Sequence, residues 1–300
     1  MSIVTHRKLF YALSAITVAI SIAALALWGL NLGIDFKGGS LMEIHYPSDA
    51  PKKTSIEAVL APVDAHASVR PSGENGFIIR VRELSDAEHA SLREALSFTG
   101  KSPVTEVRFD SIGPLLGKEA AGKSFLAIGL VIICIVLFIT FAFRKVSLPV
   151  SSWKYGIITI IALAHDVLIP TGVFAFLGHF RGIEVDTLFV TALLVVLGFS
   201  VHDTIVVFDR VRENLRMAQG RVTHGDFETV VGASVSQTFT RSVNTSLTTL
   251  LALAVLLIFG PAATHLFALA LIVGIVAGTY SSICIAAPLL VTAERRQKNA

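Results

Sequence analysis

Charge is what this sequence has least of: only 16% of its 300 residues are Asp, Glu, Lys or Arg, against about a quarter in an ordinary soluble domain. Cysteine is scarcer still. Cys134 and Cys284 each sit inside an apolar stretch, which leaves no disulfide framework to argue and makes both read as small apolar side chains. A phosphate-binding loop is also missing. Gly38-Gly39-Ser40 follows Lys37, whereas a Walker A loop needs G-x-x-x-x-G-K-[ST], so the glycines read as a permissive turn and nothing points to nucleotide hydrolysis. His45, His66 and His89 are scattered without metal-ligand spacing. No catalytic constellation, cofactor or metal is expected, and the chain is not read as an enzyme. A net charge of +3 gives no ground for a nucleic-acid partner.

What is abundant is apolar residues, 53% of the chain, unevenly placed. Residues 32–123 hold 11 of the 25 Lys/Arg and 13 of the 22 Asp/Glu and read as water-soluble. The rest falls into six apolar blocks, at 9–31, 124–143, 155–177, 187–208, 240–260 and 265–291. Each approaches the ~20 residues that cross a bilayer as a helix. The first block is longer than a signal-peptide core, so a retained anchor is expected over cleavage near Ala24-Leu25-Ala26. If residues 1–8 are cytoplasmic, Arg7, Lys8, Arg144, Lys145, Lys154, Arg210, Arg212, Arg216, Arg221, Arg241, Arg295, Arg296 and Lys298 share that side, against Arg181 in the opposite short loops. That asymmetry places both termini, and the tail 292–300, in the cytoplasm and residues 32–123 outside.

The outer segment predicts strands at 41–46, 67–70, 76–82 and 104–110 and helices at 54–60 and 85–98, the second opened by a Ser85/Glu88 capping box. The order β-α-β-β-α-β is the ferredoxin-like arrangement. The expected fold class is therefore a polytopic α-helical membrane protein of six transmembrane helices, with an α+β ferredoxin-like domain between the first two. Between the fourth and fifth spans, 209–239 predicts a cytoplasmic amphipathic helix from Phe227, Val230, Val231, Val235 and Phe239.

Ionisable groups within apolar spans cost at least ~2.5–3.5 kcal/mol on insertion scales, so they become the site candidates. Asp166 lies mid-span beside His165, and Asp203 lies in the inner half of the fourth span beside His202 and one helical turn from Ser200. Arg241 opens the fifth span and shares a face with Asn244, Thr245 and Thr248. If the fourth and fifth spans pack together, carboxylate and guanidinium meet, and a carboxyl poised between desolvation and a cation can load and release protons. An Asp/Ser/Thr-lined site also suits sodium. Pro170 deprives the Asp166 carbonyl of its helical partner, which predicts a wet, protein-facing pocket. Gly274 and Gly278 form a GxxxG pattern that permits close helix approach.

These motifs resemble a known family. Gly33-Ile34-Asp35-Phe36-Lys37-Gly38-Gly39 after the first span, Ile112-Gly113-Pro114 with Gly117-Lys118-Glu119 before the second, His165-Asp166, Gly198 to Asn214, and Gln237 to Leu251 are together similar to the SecD/SecF family, and within it to the SecF branch. The resemblance implies a half-transporter of the resistance-nodulation-division superfamily in the bacterial inner membrane. It implies pairing with SecD, association with SecYEG and YajC, and use of the proton-motive force to draw preproteins to the periplasmic side. It makes Asp203 the relay carboxylate and Arg241 its basic partner; the reading of the spans adds Asp166 as a further relay candidate, with His165, His202, Ser200, Thr245 and Thr248 in support. His202 departs from the family, where Asn is more usual. The alternative reading is half of a small-molecule or lipid exporter, which the modest size of 32–123 argues against. The chain has no internal repeat of its six-span unit, and transporters commonly work as paired repeats, so a partner chain is expected.

Overall fold

The computed structural model describes residues 2–47, 50–65, 67–98, 103–143, 152–217 and 224–298. His66, Arg144, Lys145 and Arg221 lie outside them. Besides four-residue helices at Ser2–Thr5 and Ile34–Lys37, the elements in chain order are α1 (Arg7–Trp28), β1 (Gly39–His45), α2 (Lys53–Leu60), β2 (Ser68–Ser72), β3 (Gly76–Val81), α3 (Asp86–Leu96), β4 (Thr105–Ile112), α4 (Pro114–Ala142), α5 (Ser152–Arg181), α6 (Thr187–Met217), α7 (His224–Phe259) and α8 (Ala262–Ser281). A π-helical turn, Ser282–Ala286, then leads into α9 (Ala287–Lys298). Among the described residues, six helices are long and apolar enough to cross a membrane: Arg7–Trp28, Pro114–Ala142, Trp153–Arg181, Thr187–Met217, Phe227–Phe259 and Ala263–Arg295. The chain is a polytopic membrane protein with a small antiparallel sheet region.

The helices overrun the apolar blocks because hydropathy marks the stretch that lipid requires, while a helix continues through polar residues as long as its backbone is satisfied. Among the described residues of 209–239, both stretches continue the neighbouring spans. The fourth span continues to Met217, and one unbroken helix runs from His224 through the fifth. Phe227, Val231 and Val235 are buried in the helical core rather than laid on a surface.

Two compact units divide the chain, Met1–Asn31 with Leu126–Ala300, and Leu32–Phe125. In the second, the sheet order is β2-β3-β1-β4, with every neighbouring pair antiparallel and a bulge between Glu43 and Ile44. Alternate residues Met42, Ile44, Phe77, Ile79, Val81 and Val69 turn inward against Ile56, Leu60, Leu92 and Leu96 of α2 and α3, the period-2 signature of a half-buried sheet. The Ser85/Glu88 capping box forms, with Glu88 also paired to Arg82. Tyr46, 1% exposed, donates to the Leu96 carbonyl at 3.0 Å, and burial pushes its hydroxyl up to about 12. Gly38 and Gly39 take φ of +79° and +121°, and a Cβ on Gly38 would lie 2.7 Å from Pro114 Cα. The turn therefore requires glycine for both conformation and space.

The first unit inverts the soluble pattern: Leu9, Leu13, Ile20, Leu137, Phe141, Leu251 and Ile258 are exposed on its outer surface, as a lipid-facing belt demands. Its core at one end is built on Phe143, Tyr155 and Phe208. Phe143 and Tyr155 stack at 5.2 Å, and Phe208 meets Tyr155 edge-on at 5.1 Å. Glycines set the tightest helix crossings. A Cβ on Gly172 would fall 2.4 Å from Ser21, and one on Gly274 would fall 2.2 Å from Val196. Beside α7, Glu228 pairs with Arg7 at 3.1 Å and with Arg295, joining α1, α7 and α9.

Candidate functional site

Small residues on α8 create the site. Gly274 and Gly278 let α8 lie directly on α6, with Ser200 the side chain nearest Gly278, and this close crossing brings serines to the middle of α5. Asp166, fully buried, is enclosed there. Its Oδ1 meets His165 Nδ1 at 2.8 Å, and its Oδ2 accepts from Ser281 Oγ at 2.8 Å and from Ser200 Oγ. Asp166 is thus enclosed by protein, with two serines against its Oδ2. A carboxylate withdrawn from solvent needs such donors, since a buried acceptor left unpaired costs about 1–3 kcal/mol.

The network extends across four helices. Ser282, in the π turn, shares a hydrogen bond with Thr204 Oγ1 at 2.9 Å and donates to the Ser200 carbonyl at 3.3 Å. The Tyr280 ring stacks on His165 with centroids 6.0 Å apart, and its hydroxyl donates to the Phe10 carbonyl at 2.9 Å. His165 Nε2 is buried without a partner among the described residues. π turns concentrate at working sites because they shift the helical register locally, and here the turn carries Ser282 to α6.

Asp203 occupies the next turn of α6, 3% exposed. Its Oδ2 and Ser242 Oγ on α7 are close enough to interact, yet neither has a hydrogen-bond partner among the described residues. Arg241 and His202 act on it electrostatically, but no ion pair joins Asp203 to Arg241 among the described residues. The expected meeting of carboxylate and guanidinium is therefore absent from this structure. The reason is rotational: Ser242, not Arg241, faces inward from α7, and Arg241 is exposed.

The other candidates divide in the same way. Ser200 joins Asp166. His202 and Thr248 are exposed, and Thr245 is half-buried. Thr245 and Thr248 return their hydroxyls to their own helix, at the carbonyls of Arg241 and Thr245, both at 2.9 Å. The GxxxG close approach is present. Sequence reasoning missed Ser281, Ser282, Thr204 and Ser242. The adjacent Ser281-Ser282 in an otherwise apolar span was the available signal.

Arg241 also lines a cleft of about 470 Å³ between α6 and α7, with Ile205, Val206, Asp209, Arg210, Glu213, Gln237 and Thr238. Gln237 Oε1 accepts from Arg210 Nε at 2.6 Å and from Asn214 Nδ2 at 2.9 Å, tying the two helices. In the sheet unit, His89 meets Glu106 at 2.8 Å and stacks on Phe109. No group of three or more metal-ligating side chains occurs among the described residues.

Comparison with known proteins bears on this arrangement. The family model for the C-terminal region of SecD/SecF protein export membrane proteins matches residues 93–296, and that for the SecD/SecF GG motif matches 29–46. A protein translocase subunit SecF from Thermobaculum terrenum is 42% identical, over 99% of this chain and 95% of its own length. One from Vibrio alginolyticus is 37% identical, over 94% and 86%. The crystal structure of SecDF, a translocon-associated membrane protein from Thermus thermophilus, superposes with a TM-score of 0.84 at 29% identity, over all of this chain. SecDF in a super-membrane-facing form gives a TM-score of 0.66 at 29% identity, over 99% of this chain. The chain spans 39% of the length of either SecDF chain. With the C-terminal model covering most of the sequence and SecF relatives matching it from end to end, the chain belongs to the SecD/SecF family of protein-export membrane proteins.

Proposed function

We propose that the chain is the SecF-type half of a proton-driven motor. Together with SecD it uses the proton-motive force to assist late movement of preproteins through SecYEG into the periplasm, in association with YajC. Both termini are cytoplasmic in a bacterial inner membrane, and Leu32–Phe125 is the periplasmic domain, of ferredoxin-like type. The strand order β2-β3-β1-β4 with two covering helices supports that type. The relay consists of Asp203, Arg241 and Asp166.

The observation that carries the reading is a pair of buried carboxyls, Asp166 on α5 and Asp203 on α6, the first bound by Ser200 one turn before the second. Asp166 is fully partnered, while Asp203 has a buried oxygen without one. Ser200 donates to the first carboxyl, and Ser282 ties the Ser200 carbonyl to Thr204, the sequence neighbour of the second. A proton on Asp203 removes the charge that its incomplete hydrogen bonding leaves exposed to a low dielectric, and loss of that proton calls for Arg241 to turn in. Two states of similar energy that differ in protonation are what a coupling carboxyl requires.

A partner in the membrane is supported by the polar stripe that this chain leaves uncovered. His202 on α6 and Arg241, Asn244 and Thr248 on α7 are all exposed, and hydrocarbon satisfies none of them. SecD is the proposed cover. Preprotein export into inverted vesicles carrying SecD and this chain tests the reading. Asp203→Asn and Arg241→Met are expected to assemble normally and to lose the stimulation given by a proton gradient. Wild-type stimulation in both variants would make these residues structural.

A further inference from the structure

A carboxyl that takes up and releases protons needs a path to water, and Asp203 is nearly inaccessible. Asp166 offers no such path, since Ser200, Ser281 and His165 occupy both of its oxygens. The cleft between α6 and α7 is different in kind. Five of the eight side chains lining it are charged or amide groups: Asp209, Arg210, Glu213, Gln237 and Arg241. Acyl chains cannot satisfy such a lining, and water can. At about 470 Å³ the cleft has ample room for water.

The cleft also comes close to the carboxyl along the chain: its lining includes Val206, one helical turn from Asp203, and Arg241, the sequence neighbour of Ser242. The seven residues from Asp203 to Arg210 correspond to about 10 Å along the helix axis, so the charged rim lies within a few water diameters of the carboxyl. Across that rim runs one amide. Gln237 Oε1 takes hydrogen bonds from Arg210 Nε at 2.6 Å and Asn214 Nδ2 at 2.9 Å, which uses both lone pairs of the oxygen. Asn214 also reaches Ser234 Oγ at 2.8 Å, and Arg210 reaches Glu213 at 2.6 Å, so both donors are themselves held in place.

We propose that the α6–α7 cleft is the water-filled port through which Asp203 exchanges protons with the cytoplasm, and that Gln237 is a positioning residue that sets the width of its mouth. The port rests on the relay reading of Asp203. Gln237 does not touch the proton: it holds Arg210 and Asn214 of α6 against α7, and its release widens the cleft.

The test uses the full chain assembled with SecD in inverted vesicles, with Cys134 and Cys284 replaced by Ala and Val206→Cys introduced. A charged, membrane-impermeant maleimide is added to the exposed cytoplasmic face. Val206→Cys is expected to react, and the blocked complex to lose gradient-stimulated export. Gln237→Leu is expected to speed the reaction about tenfold, equivalent to ~1.4 kcal/mol of mouth closure. Gln237→Glu keeps an acceptor for both donors and is expected to react at the parent rate. That separates a width-setting role from general loosening of the fold. Failure of Val206→Cys to react, equal rates for Gln237→Leu and the parent, or full gradient stimulation after blocking would each overturn the port. Asp203→Asn is assayed alongside. Loss of stimulation there with an unreactive Val206→Cys overturns the port alone, whereas retained stimulation overturns the relay reading beneath it.

Discussion

Two carboxyls of the same chemical type hold opposite positions at the scale of single residues. Asp166 has a complete set of partners and Asp203 does not, so substitutions at the two should separate stability from coupling. Asp166→Leu strands Ser200, Ser281 and His165 at once and is expected to destabilise the purified chain by about 3 kcal/mol or more, as orphaned buried polar groups cost 1–3 kcal/mol each. Ser281→Ala removes one donor and should cost about 1 kcal/mol. Thermal melting of the full chain in detergent reads both, and a neutral Asp166→Leu would show that the network contributes nothing to folding. In the sheet unit, Arg82 and then the Ser85 cap hold the Glu88 carboxyl down at about 2, from an ordinary 4.5. A depressed carboxyl contributes stability above its unfolded value and loses it as pH falls toward its folded value. Exchange protection of the α3 amides is therefore expected to fall between about pH 4.5 and 2 in the wild type, more steeply than in Glu88→Gln.

At the scale of elements, glycines decide where the helices cross. A Cβ on Gly274 would stand 2.2 Å from Val196, so Gly274→Leu must push α8 away from α6. The expected loss is about 1–3 kcal/mol, the usual penalty for overpacking, together with loss of gradient-stimulated export as Ser281 and Ser282 leave Asp166 and Thr204. Melting and export assays check the two effects separately. The elements also show what a sequence discloses. The six apolar runs, the capping box and the alternation of β1 and β3 were legible, because each is encoded by residues adjacent in the chain. The helix ends were not, since α6 and α7 continue through charged residues that hydropathy discounts. Nor was the rotation of α7. Spacing placed Arg241, Thr245 and Thr248 on one face correctly, but only the packing of Phe227, Val231 and Val235 into the core turns that face outward. Serine was the main blind spot. It is neutral in every composition measure, and Ser281 and Ser282 acquire their role only when α8 meets α6.

At the scale of the whole molecule, the described residues of one chain supply six candidate spans, two buried carboxyls on neighbouring helices and an uncovered polar stripe. Those three features fit half of a two-part transporter whose partner completes the membrane site. The SecDF chains it resembles are more than twice its length, consistent with such a division. The claim on which the rest depends is that protons pass through Asp203 as a preprotein moves. The most direct measurement is proton exit from proteoliposomes carrying the assembled complex with the periplasmic side inward, loaded acidic and read by an internal pH dye during translocation of a preprotein. Wild type should alkalinise the interior only while the preprotein moves in, and Asp203→Asn should not alkalinise it despite normal assembly. Equal alkalinisation by Asp203→Asn and wild type would contradict the account.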